Sequence, residues 1–273
     1  MPGSKSFQVG QIRSGANTPF FILGPCVIES EDFVRTIAGE LKELCQSVDV
    51  PWIFKASYDK ANRTSAKSYR GIGVKSGCQI LGTIGKELSV PVTTDVHSVE
   101  EVQIARDFVD VLQIPAFLCR QTDLIQAAAA TGRAVNVKKG QFLAPWDVAN
   151  IAEKLESAGC QNYVFTERGV TFGYNNLVAD MRSLYWIRKQ GYPVVFDATH
   201  SVQRPGSTGT STGGDGELAP VLARSAVAAG CDGIFIETHP NPAEALSDGA
   251  TQIPLSDLPQ LLSQLKKIHE VLR

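Results

Sequence analysis

Eight times along the chain, a short apolar or β-branched run ends in a polar residue and is followed by a helix-like segment. The runs cover residues 20–23, 52–54, 92–94, 111–112, 134–137, 163–166, 194–196 and 233–236. Strands that alternate with helices pair in parallel through crossover connections, and eight such units close a (β/α)8 barrel. The sequence therefore predicts an α/β fold of the TIM-barrel type.

The length of the chain agrees with one such barrel. It has 273 residues, close to the roughly 250 that are typical of this fold, so we expect a single domain over residues 1–273. Residues 1–19 precede the first barrel strand and contain Gly10 and Gly15 between short alternating runs. This pattern predicts an N-terminal β-hairpin that closes the bottom of the barrel.

The net charge, the hydropathy and the cysteine spacing indicate the compartment and exclude some kinds of binding partner. A net charge of −2 gives no basic field for nucleic acid or for an anionic membrane surface, so an anion must bind locally. No run of about 18 apolar residues and no signal-peptide core is seen, which favours a cytoplasmic protein without a membrane segment. The six cysteines show no C-x-x-C spacing, so we expect reduced, buried thiols.

The helical intervals carry start signals. Ser30, Ser98 and Ser256 each precede a periodic apolar stretch and are expected to be N-caps, and Glu101 would complete a capping box with Ser98. His269 lies on the last helix beside two lysines and is expected to face solvent.

In a (β/α)8 barrel the chemistry lies at the carboxyl ends of the strands and in the loops after them. A polar residue stands at or just after every predicted strand end: Cys26, Lys55, Asp95, Gln113, Lys138, Glu167 with Arg168, Asp197 and Glu237. These side chains are expected to surround one mouth of the barrel.

The connection of residues 56–70, after the second strand, is rich in cations. It carries Lys60 and Arg63 among small hydroxyl and amide side chains, a mixture that suits a phosphate or carboxylate ligand because its oxygens need several donors. A solvated loop would have a similar composition. Lys55, Lys138 and Arg168 add three cations at the same mouth, and this concentration favours an anionic substrate.

The connection of residues 201–216, after the seventh strand, is rich in Gly, Ser and Thr. Such a composition predicts high backbone freedom, so a lid over the ligand competes with a disordered surface loop. The position after a strand end favours the lid.

A third group, Cys26, His200, Glu237 and Asp248, follows the first, seventh and eighth strands. Barrel closure makes those strands neighbours, so one thiolate, one imidazole and two carboxylates could converge on one cation. Thiolate and imidazole argue against Mg²⁺ or Ca²⁺, and the set fits Zn²⁺, Fe²⁺ or Mn²⁺. A buried structural Cys26 and a turn-capping Asp248 are the alternative.

Several strings in the chain resemble the 3-deoxy-D-manno-octulosonate 8-phosphate (KDO8P) synthase family of bacterial lipopolysaccharide assembly. They include GPCVIES, FKASYDKANRTS, NVKKGQFLAPW, TERGVTFGYNNLV, DATHSVQRPG and FIETHPNPAEALSDGA, and the similarity covers essentially the whole chain. The resemblance implies a (β/α)8 barrel, commonly a homotetramer, and a transferase that condenses phosphoenolpyruvate with D-arabinose 5-phosphate. The related DAHP synthases use erythrose 4-phosphate and usually carry K-P-R-T-S, whereas this chain has KANRTS at residues 60–65, which favours the five-carbon sugar.

The resemblance also implies a role for each residue at the mouth. Phosphoenolpyruvate would contact Lys55, Ser57, Gln113, Lys138 and Arg168. Lys60 would lie between the two substrates, Asn62 would contact the sugar, and Arg63 with Thr64 would bind its phosphate. Phe117 and Arg120 would lie near a subunit contact, with Arg120 reaching the neighbour's sugar phosphate; ordinary packing is the alternative for Phe117. For the reaction itself we expect Lys60, His200 or a metal-bound group to give a proton to the aldehyde oxygen, and Asp95 to orient the sugar or form an ion pair within the barrel.

Members of the resembled family differ at the position of Cys26, where metal-independent enzymes have Asn and metal-dependent enzymes have Cys. Cys26, His200, Glu237 and Asp248 complete the metal-dependent set, which implies one divalent Zn, Fe or Mn ion. The chain departs from the pattern at Gly216, where the family usually has Arg; the loss of this cation is expected to weaken lid closure or phosphate contact.

Three other functions remain compatible with these residues. The nearest is DAHP synthesis from erythrose 4-phosphate. A Schiff-base aldolase could use Lys55 or Lys138 as its amine nucleophile on the same fold. A non-catalytic barrel that senses a sugar phosphate is the third. Neither the aldolase nor the sensor explains why the metal set and the anion-binding set occur together.

Overall fold

A closed barrel of parallel strands organises the chain. The computed structural model describes residues 5–62, 69–206 and 213–272. Its eight barrel strands are β1 (Phe20–Gly24), β2 (Trp52–Lys55), β3 (Val92–Asp95), β4 (Val111–Ile114), β5 (Ala134–Lys138), β6 (Tyr163–Glu167), β7 (Val194–Asp197) and β8 (Gly233–His239). Each strand pairs with the next, and β8 pairs back onto β1, which closes the sheet. The predicted (β/α)8 fold is confirmed.

A helix follows each strand and covers the outside of the barrel. The helices are α1 (Glu31–Val48), α2 (Val74–Leu88), α3 (Val99–Ala105), α4 (Thr122–Ala129), α5 (Val148–Ser157), α6 (Arg182–Lys189), α7 (Ala219–Ala229) and α8 (Leu258–Val271). Their apolar stripes pack on outward-facing strand residues such as Phe54, Leu112 and Ile234 in one continuous buried cluster. Both faces of the strands are thereby removed from water, which explains their apolar sequences.

The strands extend one to three residues beyond the predicted runs, and the extensions contain the polar strand-end residues. The observed strands include four of these polar residues: Lys55, Asp95, Gln113 and Lys138. The register pairs Asp95 with Gln113 on the neighbouring strand. The backbone therefore fixes the side chains at the mouth, which reduces the freedom that a bound ligand must restrict.

The predicted N-terminal hairpin is present and fills the bottom of the barrel. Residues Gln8–Val9 pair antiparallel with Ile12–Arg13. Phe7, which precedes this pair, stacks on Phe20 with ring centroids 5.4 Å apart. Val9 and Ile12 belong to the same interior cluster as residues of seven barrel strands. The hairpin thus closes the end of the barrel opposite the polar mouth.

Replacing Phe7 by alanine is expected to lower the free energy of unfolding by about 3–5 kcal/mol, because the substitution leaves a cavity in a packed interior. Phe7 has no exposed surface. Tyr174→Ala is the matched control, since that aromatic side chain is 99% exposed and its loss should change stability by less than about 0.5 kcal/mol. Urea unfolding followed by circular dichroism measures both; equal stabilities of the two variants would contradict the packing role of the hairpin.

At the helices, two predicted N-caps are confirmed, two other predictions are wrong, and the predicted capping box is also wrong because the Glu101 carboxylate accepts from the backbone of His97 rather than Ser98. Ser30 and Ser98 cap α1 and α3 by accepting hydrogen bonds from the backbone of Phe33 and Glu101. Ser256 is not the cap of α8, because a 3-10 turn, Leu255–Asp257, leads directly into that helix. His269 does not face solvent: it is buried, with Nε2 3.3 Å from the carbonyl oxygen of Ala16, because α8 packs against the segment before β1.

The remaining sequence predictions about the body of the chain concern thiols and membranes. All six cysteines are free and buried, as expected for reduced thiols. Within the described part of the chain, no helix has both the length and the apolar character needed to cross a bilayer.

Candidate active site

Several buried ion pairs lie at the mouth, and the first joins β2 to β8. Lys55 Nζ lies 2.7 Å from Glu237 Oε1, and both side chains are buried. The same ammonium donates a hydrogen bond to the backbone carbonyl of Cys26 at 3.2 Å. Burial alone would raise the pKa of Glu237, but the charges of Lys55, His200 and Lys60 hold that pKa below its usual value. Glu237 is therefore ionised and surrounded by cationic groups.

The second buried pair joins β5 to β7. The ammonium of Lys138 contacts the carboxylate of Asp197 and lies 3.2 Å from the centroid of the Phe235 ring. Burial lowers the pKa of Lys138 to about 8, although the charge of Asp197 opposes the shift. An anion bound beside Lys138 would add negative charge there and favour the protonated ammonium.

Arg168, directly after β6, has unused hydrogen-bonding capacity. Its guanidinium donates to two neutral oxygens, the backbone carbonyl of His200 at 2.9 Å and Oε1 of Gln203 at 3.0 Å. Its Nε is buried and has no hydrogen-bond partner among the described residues. Burial lowers the pKa of Arg168, which records the cost of placing this cation out of water. An anionic ligand would supply the missing acceptor.

Gln113 and Lys60 are two further polar side chains at the mouth. The amide oxygen of Gln113 accepts a hydrogen bond from Asn136 at 3.1 Å, which fixes the orientation of its amide. Lys60 Nζ donates to Ser57 Oγ at 3.0 Å and lies 3.8 Å from Glu237 Oε1. Burial would lower the pKa of Lys60, but Cys26 and Glu237 hold that pKa above its usual value. Lys60 is therefore an ammonium at neutral pH.

Three residues of the predicted metal set form one cluster beside these cations, and His200 lies next to two of them. Ligand atoms of Cys26, Glu237 and Asp248 all lie within 4.8 Å of one another. His200 Nε2 is 3.7 Å from Glu237 Oε2 and 3.9 Å from Asp248 Oδ2. Ligand atoms bound at about 2.0–2.3 Å to one tetrahedral metal lie about 3.3–3.8 Å apart. Cys26, Glu237 and Asp248 therefore lie close enough together to share one ion, and His200 lies within reach of the two carboxylates.

The chemistry of the donor set also fits a cation. Burial, with the nearby carboxylates of Asp248 and Glu237, raises the pKa of the Cys26 thiol, because a thiolate there would face two negative charges. The sulfur lies 3.0 Å from Ser247 Oγ and 3.4 Å from Asp248 Oδ2. A divalent ion would offset this accumulation of negative groups and favour the thiolate.

The outer rim of the mouth is described only in part. Asn62 is exposed at the edge of the loop after β2, and the predicted sugar-phosphate ligands Arg63 and Thr64 lie outside the described residues. Phe117 is 54% exposed on the 3-10 turn Ala116–Leu118. Arg120, which follows that turn, is also exposed. Packing within a single chain therefore does not account for Phe117.

The structure gives a steric reason for glycine at position 216. A Cβ atom on Gly216 would lie 2.6 Å from the backbone carbonyl oxygen of Ala250, so a larger side chain requires the backbone to move. Residues 207–212 of the predicted lid lie outside the described residues. The flanks of this connection are paired, since Gln203–Arg204 forms a short antiparallel ribbon with Gly213–Gly214.

Sequence reasoning missed roles for three residues at the site. Asp197 was noted only as a strand-end residue, yet it contacts Lys138 and lies 2.9 Å from Nδ1 of His200. Ser247 precedes Asp248 and contacts the Cys26 sulfur. His97 lies between Asp95 and Glu101. The position of Asp197 at a strand end could have indicated its role from the sequence. The contacts of Ser247 and His97 depend on loop conformations, which the periodicity of the sequence does not predict.

The charge on His97 is expected to stabilise the fold below about pH 9. Burial opposes protonation, but hydrogen bonds to Asp95 and Glu101 raise the pKa of His97 to about 9, from about 6.5 in an unfolded chain. This stabilisation is complete below about pH 6.5 and is lost as the pH rises through about 9; its size is about 3 kcal/mol. Urea unfolding of the wild type and His97→Asn between pH 6 and 9.5 measures the difference. A gap between them that does not narrow with rising pH would contradict the assigned charge.

The geometry defines a class of protein, a (β/α)8 barrel whose mouth combines buried cationic side chains with a cluster of side chains that could hold a metal ion. The chain belongs to the DAHP synthetase I family, whose model matches residues 4–273.

Curated relatives cover nearly the whole chain. The 2-dehydro-3-deoxyphosphooctonate aldolase of Geotalea uraniireducens (strain Rf4) is 55% identical over 270 residues, which are 98% of this chain and 99% of that protein. The protein of the same name from Azoarcus sp. (strain BH72) is 57% identical over 262 residues, 95% of this chain and 94% of that one. A third, from Pelobacter propionicus (strain DSM 2379 / NBRC 103807 / OttBd1), is 55% identical over 271 residues, 99% of this chain and 100% of that protein. 2-Dehydro-3-deoxyphosphooctonate is another name for KDO8P, so these relatives carry the name that the resemblance predicts.

Proposed function

We propose that the protein condenses phosphoenolpyruvate with D-arabinose 5-phosphate and water to give KDO8P and inorganic phosphate, as a transferase of lipopolysaccharide assembly in the cytoplasm. The strongest support is the 55–57% identity, over 94–100% of their length, to relatives named for KDO8P. In this reaction C3 of the enol attacks the aldehyde carbon, water adds at C2, and the C–O bond to phosphate breaks.

Phosphoenolpyruvate would bind among the buried cations. Lys138 ends β5 and Arg168 follows the neighbouring β6, and they offer an ammonium and a partly unpartnered guanidinium; Lys55, Ser57 and Gln113 complete the set. Such groups offset the charge of a carboxylate and a phosphate without reorganising at the moment of reaction. They also hold one face of the enol toward the second substrate, which converts an encounter of two molecules into a reaction within one complex.

The sugar would lie above phosphoenolpyruvate, with Lys60 between the two. Asn62, Arg63 and Thr64 would bind the sugar and its phosphate, together with Arg120 of a neighbouring copy. Asp95 already accepts hydrogen bonds from Ser57 and His97, which supports its role in an internal ion pair. Lys60 or His200 would give a proton to the aldehyde oxygen as the carbon–carbon bond forms.

A divalent ion of Zn, Fe or Mn would be held by Cys26, His200, Glu237 and Asp248, whose spacing and donor types fit such an ion. When bound, it would supply a Lewis-acid charge beside the reacting oxygens. The contribution of the chain is to hold these ligands in position: Lys55 fixes Glu237 by an ion pair at 2.7 Å, and Asp197 lies 2.9 Å from the second ring nitrogen of His200.

We also propose that the protein is a homotetramer. Phe117, Phe142 and Phe172 are exposed on the loops after β4, β5 and β6. The loops after β5 and β6 lie side by side, since the backbone of Thr171 donates to the carbonyl of Gln141 at 3.0 Å. An exposed aromatic patch on contacting loops is typical of an association surface. Sedimentation equilibrium should give four times the chain mass; a monomer at micromolar concentration would contradict this proposal.

The depressed pKa of Lys138, about 8, is the one observation that favours a Schiff-base aldolase as a second candidate. Against it, the Lys138 ammonium is already occupied by Asp197 and by the ring of Phe235. Borohydride added during turnover with a keto substrate distinguishes the two. A covalent adduct on Lys138 or Lys55 would support the aldolase, and unmodified protein supports the condensation that we propose.

Sugar selectivity tests the proposed substrate. Product formation from phosphoenolpyruvate should be at least about 100-fold more efficient, in kcat/KM, with arabinose 5-phosphate than with erythrose 4-phosphate, because a correctly held sugar places its aldehyde for attack and a shorter one is misplaced. The reverse preference would assign DAHP synthesis instead. Tight binding of either sugar phosphate without turnover would assign the sensor.

A further inference from the structure

A chain of polar side chains leads from helix α3 to the mouth of the barrel. Its members are Glu101, His97, Asp95, Ser57 and Lys60. Consecutive contacts measure 3.0 Å from Glu101 to His97, 3.1 Å from His97 to Asp95, 2.5 Å from Asp95 to Ser57 and 3.0 Å from Ser57 to Lys60. The first member belongs to the outer helical layer and the last to the proposed substrate site.

His97 sits in this chain as a cation between two carboxylates. Nδ1 faces Oε2 of Glu101 and Nε2 faces Oδ2 of Asp95, so both ring nitrogens must carry protons to avoid a lone pair against a carboxylate. The position of Glu101 is fixed by the hydroxyl of Tyr58 at 2.7 Å and by the backbone N–H of His97 at 2.7 Å. Glu101 therefore anchors the imidazolium rather than completing a capping box with Ser98.

The charge on His97 determines how Asp95 and Ser57 are hydrogen-bonded. His97 and the lysines Lys55 and Lys60 hold the pKa of Asp95 well below its usual value, against burial, which would raise it. Ionised Asp95 can only accept, so the single proton of Ser57 points toward Asp95 Oδ1. The lone pairs of Ser57 then face the ammonium of Lys60, which donates to them at 3.0 Å. A single arrangement of protons therefore satisfies every hydrogen bond from Glu101 to Lys60.

We propose that His97 is a positioning residue for Lys60, acting through Asp95 and Ser57 to hold the ammonium at the point where the two substrates meet. This inference rests on the proposed function, in which Lys60 lies between phosphoenolpyruvate and the sugar. A side chain as long as lysine has many rotamers, and a fixed acceptor beside its ammonium removes most of them before substrate binds. His97 supplies that order without touching either substrate.

Two substitutions of similar size separate this role from a merely structural one. In His97→Gln the amide nitrogen can take the place of Nε2 and still donate to Asp95, whereas in His97→Asn it takes the place of Nδ1 and reaches only Glu101. We expect His97→Asn to lower kcat by about 10- to 100-fold, the typical cost of a misplaced reacting group, and His97→Gln to stay within about threefold of the wild type. Metal content should be unchanged in both.

Crystal structures of both variants show whether a loss of kcat comes with a displaced Lys60. The Lys60 to Ser57 hydrogen bond should be kept in His97→Gln and broken in His97→Asn. Equal losses of kcat in the two variants, in proportion to a lower Tm, would overturn the proposal, as would an intact Lys60 to Ser57 contact in His97→Asn. If the wild type releases no phosphate, the proposed function fails, and the two crystal structures still decide whether His97 positions Lys60.

Discussion

Replacing Cys26 by serine is expected to weaken divalent metal binding by at least about 100-fold, since even the loss of a group that only supports a ligand costs about 10- to 100-fold. Activity should fall in parallel. The reason is local: the sulfur of Cys26 lies 3.4 Å from Asp248 and within 4.8 Å of the Glu237 ligand atom, and a hydroxyl does not ionise to replace a thiolate. Metal content by elemental analysis, compared with phosphate release on the same preparation, measures both effects.

Cys160→Ser is the matched control for this substitution. Cys160 is also buried, but its sulfur lies 3.4 Å from the backbone carbonyl of Asn162 at the bottom of the barrel, where a serine hydroxyl can donate the same hydrogen bond. Its metal content and activity should match the wild type. Full activity in metal-free Cys26→Ser would remove the ion from the proposed function, whatever the control shows.

Arg168→Met is expected to lower kcat/KM for phosphoenolpyruvate by about 100- to 1,000-fold, the usual effect of removing one preorganised donor to a developing or bound anion. The same substitution should leave the free energy of unfolding unchanged or raise it. In the structure the guanidinium is buried, donates to two neutral oxygens and has an unpartnered Nε, so its charge costs stability until an anion binds. Such a trade of stability for function is common in binding sites.

Arg182→Met provides the comparison on the surface. The Arg182 side chain is 83% exposed and pairs with Asp180, and its loss should change stability by less than about 0.5 kcal/mol and kcat/KM not at all. Steady-state kinetics and urea unfolding of the two variants test the argument. A large loss of stability in Arg168→Met with an unchanged KM would show that Arg168 is structural.

The sequence predicted the barrel and the position of the site because both follow from topology. Eight alternating units close in one way, and closure brings Cys26, His200 and Glu237 to neighbouring strand ends whatever their separation in the chain. The ion-pair partners of individual charged residues could not be predicted from the topology. Whether Lys138 pairs with Asp197 or Lys55 with Glu237 depends on side-chain reach across the barrel mouth, which the strand pattern does not specify.

Loop positions were the other limit. Gly216 seemed from the sequence to be a lost cation, whereas the structure shows a close approach to Ala250 that leaves no room for a Cβ atom. His269 seemed exposed beside two lysines, but the packing of α8 against the segment before β1 buries it. Each depends on a contact between segments far apart in sequence, and neither composition nor periodicity carries that information.

The most direct test of the central claim is inorganic phosphate release from phosphoenolpyruvate with arabinose 5-phosphate, measured before chelation, after chelation and after addition of Zn²⁺, Fe²⁺ or Mn²⁺. The proposed function predicts sugar-dependent release that chelation abolishes and at least one of the three ions restores. Release that persists undiminished in metal-free protein would contradict the role of the Cys26, His200, Glu237 and Asp248 cluster, and no release under any condition would contradict the proposed reaction itself.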